Sequence, residues 1–450
     1  MLRARTTSVA RHPPLRRREA ACCAVAGTTL ALALLGVAAG HASADLEVSM
    51  IAAPGDPAES WPRWRGPSGQ GLVTGSGYVD RWSTTENVLW KTAVPGRGNS
   101  SPIVWNDRVF LTTAYDGGAR RSVLAFSRRD GRQLWETSAP ADASPERAYP
   151  KNGHASSTPS TDGERLYAYF GNHGLLALDL EGKQVWHVPM GPFDAYHGTA
   201  CSPLLYRDRV VVVQDQGSGS FIAAFDKDTG RELWRTPRPT KVGWSSPVAI
   251  RVGSDPQAHD EIVVNSQQHV FAYDPDSGKE LWRAGGTTFE VIPTPVVSHG
   301  LLFSTSGRAG PTLAIRPGGS GDVTETHVVW SSPKGSPFVP APIAIGDYLY
   351  MVNDMASVIS VYRAATGEVL WQERLGQARR ESFSAAPVAF DGKVFFTNDN
   401  GETFVVRQGP EFAVLHVNSL DEGVIASPAL VGGVWYWRTA GHLYAIGSPE

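Results

Sequence analysis

The 450-residue chain has little cysteine, no clustered block of basic residues beyond its first 44 residues, and few of the short signatures that mark enzymes. Two of its three cysteines, Cys22 and Cys23, lie in the N-terminal leader described below. Only Cys201 remains after export, so no internal disulfide can form. The sequence contains none of the motifs of zinc proteases, serine hydrolases, P-loop proteins or CxxC redox proteins. These absences exclude the most easily recognised classes of enzyme.

The first 44 residues have the pattern of a cleavable export signal. Six arginines, including a triplet at 16–18, precede an apolar stretch over residues 20–39. Residues 42–44 then read Ala-Ser-Ala, a typical cleavage pattern. A retained membrane anchor is the alternative, although glycine and threonine dilute the apolar stretch. We predict cleavage before Asp45, no transmembrane segment in the mature protein, and a periplasmic or extracellular location.

Cleavage would also change the charge of the protein. The leader carries six arginines and one glutamate, so the net charge falls from -3 to about -8. An acidic chain without a basic patch has no electrostatic footprint for DNA or RNA. We therefore expect no nucleic-acid partner.

One segment recurs along the chain: an Ala-apolar-Asp triplet, a glycine turn, and a tryptophan four residues after the glycine. The clearest copy runs from Ala224 through Gly230 to Trp234. A tryptophan at the same place in successive units would fill the gap between neighbouring sheets. The tryptophans predicted to have this structural role are Trp90, Trp135, Trp186, Trp234, Trp282, Trp330 and Trp371.

A second landmark is a small residue followed by proline and an apolar run. Eight prolines hold this position, 41 to 57 residues apart: Pro102, Pro159, Pro203, Pro247, Pro295, Pro342, Pro387 and Pro428. A period of this length, with four short apolar runs in each unit, is typical of a β-propeller built from four-stranded blades.

The two ends of the repeat array predict how the ring closes. The last unit stops after three strands at Ile446, whereas residues 87–91 form an orphan outer strand ahead of the first unit. That strand would complete the last blade and remove its open edge. We therefore predict an all-β, eight-bladed propeller of antiparallel blades over residues 86–450, with residues 45–85 as an N-terminal extension. Seven blades are the main alternative.

These repeats resemble those of the PQQ-type propellers, and the resemblance covers about Trp61 to Ile446. It rests on the Ala-x-Asp, Thr-Gly and Trp pattern of residues 224–234. The opening Trp-Pro-Arg-Trp-Arg-Gly-Pro of residues 61–67 is similar to that of exported PQQ-binding-like proteins. The family includes PQQ-dependent alcohol and sugar dehydrogenases and BamB-type outer-membrane assembly lipoproteins. The resemblance therefore implies the fold more strongly than the function.

A quinoprotein dehydrogenase of this family would need parts that the chain lacks. There PQQ lies between a tryptophan and two adjacent disulfide-linked cysteines, beside calcium and an aspartate base. Here the adjacent cysteines lie in the leader, and no CxxCH haem motif is present. We expect a monomeric, non-catalytic scaffold without a cofactor, which binds an envelope protein or a glycan. A PQQ- and calcium-dependent dehydrogenase of alcohols or sugars is the alternative.

Polar and aromatic residues gather in the loops that lead into the inner strands, which we call the lead-in loops. A propeller places these loops around its channel on one face, where histidines, carboxylates and aromatics can form a ligand or metal site. The alternative is that such residues only satisfy loop backbone groups and channel water. The sequence predicts no catalytic residue and does not identify a metal. The candidate ligand-binding residues are Asn99, His154, His197, Trp244 and Glu290, with Tyr196 beside them.

Overall fold

The computed structural model describes residues 47–449, apart from 142–143, 308–309, 334 and 377–381. The predicted export signal lies outside the described residues. The described chain forms eight four-stranded antiparallel blades in a ring, so the eight-bladed prediction is confirmed and the seven-bladed alternative is wrong. No helix in this part of the chain is long and apolar enough to cross a bilayer. Short helical turns occur at Asp116–Gly118, Gly171–His173 and Thr324–His327.

The strands of each blade follow one another from the channel outward, and each pairs antiparallel with the next. Blade 1 consists of Ile103–Trp105, Arg108–Tyr115, Arg120–Ser127 and Gln133–Ser138, and blade 2 of Ser160–Thr161, Arg165–Tyr169, Leu175–Asp179 and Gln184–Val188. Blade 3 consists of Leu204–Tyr206, Arg209–Gln214, Phe221–Asp226 and Glu232–Pro237, and blade 4 of Val248–Val252, His259–Asn265, His269–Tyr273 and Glu280–Gly285. Blade 5 consists of Val296–Ser298, Leu301–Thr305, Thr312–Ile315 and Val328–Ser332. Blade 6 consists of Ile343–Ile345, Tyr348–Asn353, Val358–Arg363 and Val369–Arg374, and blade 7 of Val388–Phe390, Lys393–Thr397, Glu402–Arg407 and Val414–Ser419.

Blade 8 combines the two ends of the chain. Its inner strands are Ala429–Val431, Val434–Arg438 and His442–Ile446, and its outer strand is Val88–Ala93. The outer strand pairs antiparallel with His442–Ile446 and places Trp90 opposite Ala445. The ring is thus closed by the N-terminal strand, as predicted, and the last blade has no open edge.

The small residue before each repeat proline joins neighbouring blades around the channel. Its backbone N–H donates to the side-chain hydroxyl at the same position of the next blade. We call this ring of contacts the hydroxyl belt. Ala341 and Ala386 interrupt it in blades 6 and 7 because they have no hydroxyl. The bonds are Ser101 to Thr158 at 2.9 Å, Thr158 to Ser202 at 3.0 Å, Ser202 to Ser246 at 2.9 Å, Ser246 to Thr294 at 3.2 Å, Ala386 to Ser427 at 2.9 Å and Ser427 to Ser101 at 3.0 Å.

Most of the repeated tryptophans lie against the next blade. The indole N–H of Trp186 donates to the carbonyl oxygen of Lys227 at 3.0 Å. Its ring lies over Gly230, which has a φ of +74° and where a Cβ would come within 2.8 Å of the indole. Glycine in that turn therefore permits both the backbone conformation and the close approach. Equivalent indole bonds join Trp90 to Arg128, Trp135 to Leu180, Trp234 to Pro275, Trp330 to Ala364 and Trp371 to Gly409.

Two blades depart from this arrangement. Trp282 of blade 4 is fully buried, and it donates to the Glu261 carboxylate of its own blade at 2.9 Å. In blade 7 the position holds His416, whose Nε2 is hydrogen-bonded to the Asp80 carbonyl oxygen at 2.6 Å. The N-terminal extension supplies an aromatic group there, because Trp82 packs 4.9 Å from Trp435.

Residues 47–73 of the extension fill the channel, and we call them the channel plug. Val48–Met50 adds a strand to the inner edge of blade 4. Trp61 exchanges two backbone hydrogen bonds with Val104 of blade 1. In blade 7 the backbone N–H of Ala389 donates to the Gly71 carbonyl oxygen, and its carbonyl oxygen accepts from the Val73 N–H. The side chain of Arg65 donates to the Pro342 carbonyl oxygen beside blade 6 at 2.6 Å. The plug therefore ties together inner strands from around the ring.

Candidate functional site

The channel opens as a small funnel on the face that carries the lead-in loops. Its cavity has a volume of about 110 Å³. Trp64 of the channel plug lines it from within the ring, and the hydroxyl belt forms much of its wall. Asn99 and Trp244 also line the cavity. The funnel is therefore a polar ring between two tryptophans.

His197, Trp244 and Glu290 meet around Tyr196 at the edge of this funnel. The Tyr196 hydroxyl donates to the Glu290 carboxylate at 2.8 Å. The His197 ring lies 4.2 Å from the Tyr196 ring and 5.8 Å from the Trp244 ring, stacked on the latter at an interplanar angle of 24°. The Trp244 indole donates to the Gly198 carbonyl oxygen at 2.7 Å. The structure thus brings together three of the five candidate residues, from the lead-in loops of blades 3, 4 and 5.

Tyr149 extends this cluster into solvent, and Phe289 is a further exposed aromatic residue in the lead-in loop of blade 5. The Tyr149 ring, from the lead-in loop of blade 2, lies 5.0 Å from the His197 ring. Tyr149 is 52% exposed, Phe289 is 48% exposed and Tyr196 is 39% exposed. Large rigid aromatics that reach water next to one another are typical of binding surfaces. We call Tyr149, Tyr196, His197, Trp244 and Phe289 the aromatic rim.

His154 and Asn99 do not belong to the aromatic rim. The Nε2 atom of His154 is hydrogen-bonded to the backbone carbonyl oxygen of Glu146 at 2.8 Å. The Asn99 amide donates to the carbonyl oxygens of Lys151 and Asn152 at 2.6 and 2.7 Å. Both side chains therefore hold the lead-in loop of blade 2 in place, which is the alternative role expected for polar residues in these loops.

Buried ion pairs anchor two of the loops that carry the rim, those of Tyr149 and Trp244. The Arg121 guanidinium donates to the Glu146 carboxylate at 2.7 Å, with both side chains at most 1% exposed. Burial raises the pKa of Glu146, but the hydrogen bonds and charge of Arg121 outweigh it and leave the pKa below its ordinary value. Arg238 and Asp215 form a second buried pair at 2.7 Å, ahead of the loop that carries Trp244. Removing one partner of such a pair leaves an uncompensated buried charge, so these loops are rigidly fixed.

The funnel does not contain the donor set that PQQ with calcium requires in the dehydrogenases. Trp64 and Trp244 offer aromatic surfaces, but the lining side chains include no carboxylate. Within the described ranges, no group of three or more His, Cys, Asp or Glu residues is placed to hold a metal ion. Cys201 is buried and has a free thiol. The chemistry of these side chains does not fit a calcium–PQQ pair in the funnel.

Three residues of this face do not follow from the repeat pattern. Phe289 directly precedes Glu290, so an aromatic residue next to a selected position is the signal that identifies it, whereas Tyr149 lies five residues before His154 in the same lead-in loop. Trp64 precedes the repeats, and its place in the funnel depends on the path of the channel plug.

Comparison with known proteins assigns the family. A family model described as outer membrane protein assembly factor BamB matches residues 65–195 and 119–373, which together span more than half of the chain. The chain belongs to this family. The solved structure of BamB from Moraxella catarrhalis has a TM-score of 0.57 and 13% identity to it, covering 80% of this chain and 99% of that one. At that identity the likeness shows the fold alone.

Two relatives within reach of sequence comparison differ in what they do. BamB from Burkholderia pseudomallei is 30% identical over 175 residues, which cover 37% of this chain and 42% of that protein. Tetrathionate hydrolase from Acidithiobacillus ferrooxidans is 22% identical over 322 residues, which cover 70% of this chain and 53% of that protein. The chain spans about half the length of these relatives or less. One is an assembly factor and the other a hydrolase, so the repeat does not by itself choose between binding and catalysis.

Proposed function

We propose that the protein is an exported, non-catalytic scaffold that binds a partner protein of the cell envelope through the aromatic rim. The observation that carries this proposal is the exposure of Tyr149, Tyr196 and Phe289 on the lead-in loops, with buried ion pairs anchoring the loops of Tyr149 and Trp244. Aromatic residues on a rigid frame lose little conformational entropy when they bind, and they dominate the binding energy of many interfaces.

The family supports a protein partner over a glycan. The matching family model and one relative are named as an outer membrane protein assembly factor, a role that requires contact with other proteins. Export is supported by the leader pattern of residues 1–44 and by the same relatives. The mismatch between the funnel and the PQQ–calcium donor set supports a role without redox chemistry.

Site-specific photo-crosslinking in the native host tests the proposed surface. A photoreactive amino acid is placed at Tyr149, Tyr196 or Phe289, and at Val185 as a control. Val185 is 43% exposed but lies on the outer strand of blade 2. We expect a discrete protein adduct from the three rim positions and none from Val185.

Adducts from Val185 alone would place the partner on the outer edge of the ring and contradict the proposal. An adduct with a polysaccharide at the rim would show that the partner is a glycan and not a protein.

The enzyme alternative has a separate test. Purified protein is mixed with PQQ and calcium and examined for a bound quinone spectrum and for dye reduction with alcohols and sugars. Tetrathionate belongs in the same panel because one relative is a tetrathionate hydrolase. We expect no turnover; sustained turnover of any of these substrates would overturn the non-catalytic assignment.

A further inference from the structure

A second cavity lies beside the channel, between blades 7, 8 and 1. Its volume is about 260 Å³, and it is lined by lead-in loops of blades 1, 2 and 8 and by turns of blades 7 and 8. The charged side chains in its lining are Arg97, Lys151, Arg438 and Asp399. We call it the arginine pocket. Cations outnumber carboxylates in it, although the protein as a whole is acidic.

Arg438 is the buried charge of this pocket, with 3% of its surface exposed. Its Nη1 atom donates to the Ser100 hydroxyl at 2.8 Å and to the Thr112 carbonyl oxygen at 2.7 Å. It also lies 3.4 Å from the Ser100 carbonyl oxygen. These acceptors are neutral. Burial without a counter-charge lowers the pKa of Arg438 to about 9.

The other buried arginines of the blades are neutralised. Arg121 is paired with Glu146 and Arg238 with Asp215. Arg438 has no carboxylate within 4.0 Å among the described residues. A buried charge is normally compensated by a partner of opposite sign. Arg63 and Arg65 of the channel plug also donate only to neutral carbonyl oxygens, so what distinguishes Arg438 is that it lines the arginine pocket, where a ligand can supply the counter-charge.

The geometry indicates which part of Arg438 is available. Nη1 is occupied by the contacts with Ser100 and Thr112, whereas no described residue accepts a hydrogen bond from Nε or Nη2. A Cβ at Gly98 would lie 2.6 Å from Nη2, so a side chain at position 98 would collide with this edge of the guanidinium. The Nε–Nη2 edge of a guanidinium presents two parallel N–H groups that match the two oxygens of a carboxylate.

Arg97 supplies the second uncompensated charge. Lys151 is paired with Asp399 at 2.7 Å, and it also donates to the Ser382 hydroxyl at 2.7 Å. Arg97 is exposed, and within the described part of the chain its guanidinium makes one long contact of 3.5 Å, to the Pro150 carbonyl oxygen. We propose that the arginine pocket binds a carboxylate group of a small organic acid, held by the Nε–Nη2 edge of Arg438 and attracted by Arg97. This site does not depend on the proposed function of the aromatic rim.

Isothermal titration calorimetry at low ionic strength tests the site with three probes. Succinate carries the carboxylates, succinamide is its uncharged counterpart, and inorganic phosphate is an anion of different geometry. We expect succinate to bind, succinamide not to bind, and phosphate to bind at least tenfold more weakly. Raising the salt concentration should weaken succinate binding, because the attraction of Arg97 is screened.

Charge variants locate the binding site. Arg438→Gln should weaken succinate binding at least tenfold, and Arg97→Glu should also weaken it at least tenfold without disturbing the fold, because Arg97 is exposed. Arg363→Gln, which removes an exposed arginine of blade 6 paired with Glu368, should bind succinate like the wild type. Circular dichroism and melting curves check that each variant is folded.

If Arg438→Gln does not fold, Arg97→Glu alone decides the location. Unchanged succinate binding by folded Arg97→Glu, or no succinate binding by the wild type, would overturn the site. Phosphate binding as tight as succinate binding would overturn the assignment of a carboxylate.

Discussion

The contact between each outer-strand tryptophan and the next blade can be measured directly at Trp186. This side chain is 8% exposed, packs over Gly230 and donates to the Lys227 carbonyl oxygen at 3.0 Å. Replacing Trp186 by alanine removes both the ring and the hydrogen bond. Replacing it by phenylalanine removes the donor but keeps a smaller aromatic ring in the gap.

The two variants should differ in a defined way. Loss of a buried tryptophan ring lowers the free energy of unfolding by roughly 3–5 kcal/mol, because a cavity remains between the blades. Loss of the hydrogen bond alone leaves the Lys227 carbonyl oxygen without its donor. This lowers the free energy of unfolding by about 1–3 kcal/mol. We therefore expect Trp186→Ala to be clearly less stable than Trp186→Phe, and both to be less stable than the wild type.

Equilibrium urea unfolding, followed by tryptophan fluorescence and circular dichroism, measures these differences. Val185→Ala is the matched control, because Val185 is the neighbouring residue on the same strand and its side chain is exposed. It should stay within about 0.5 kcal/mol of the wild type. If Trp186→Ala is no less stable than Val185→Ala, the tryptophan does not hold the blades together.

Other parts of the account give separate predictions. Deleting residues 45–95 removes the closing strand and the channel plug, so the protein should aggregate or melt at a markedly lower temperature; a deletion variant that is monodisperse and melts like the parent would contradict the closure. Because the pKa of Glu146 is lowered in the folded state, the stability from its pairing with Arg121 is complete above pH 4.5, the ordinary value, and is lost as the pH falls through the lower folded-state pKa. Glu146→Gln should therefore be less stable than the wild type near neutral pH, and the difference should shrink on acidification in urea titrations at several pH values; a constant difference would refute this. N-terminal sequencing of exported protein should begin at Asp45, and recovery of Met1 on membrane-bound protein would show a retained anchor instead.

The fold could be predicted because its determinants are local and repeated. The turn at Gly230 and the tryptophan after it are read from one short segment, and the same spacing recurs in other blades. The exceptions arise from contacts that no short segment contains. His416 replaces a tryptophan because Asp80 and Trp82, far away in the sequence, fill that gap. A repeat pattern also does not predict that residues 47–73 cross the channel.

The candidate site was predicted in part for a related reason. Propeller topology brings the lead-in loops to one face, and this is enough to gather His197, Trp244 and Glu290 around Tyr196. Topology does not fix the direction of a side chain, and His154 instead bonds to a backbone carbonyl oxygen of its own loop. The arginine pocket could not be predicted at all, because it depends on which acceptors surround the Arg438 side chain.

The central claim is that the aromatic rim binds a protein of the cell envelope. Tyr149, Tyr196 and Phe289 are exposed, so replacing all three by alanine should leave the fold intact. Leu89, Val185 and Val329 are similarly exposed on outer strands, and their triple alanine variant is the matched control.

The most direct measurement is quantitative mass spectrometry of proteins that co-purify from envelope extracts with the wild type and with each triple variant. The account predicts that the protein crosslinked at the rim co-purifies equally with the wild type and the control, and at least tenfold less with the rim variant. Equal recovery of that protein with the rim variant would show that the binding surface lies elsewhere.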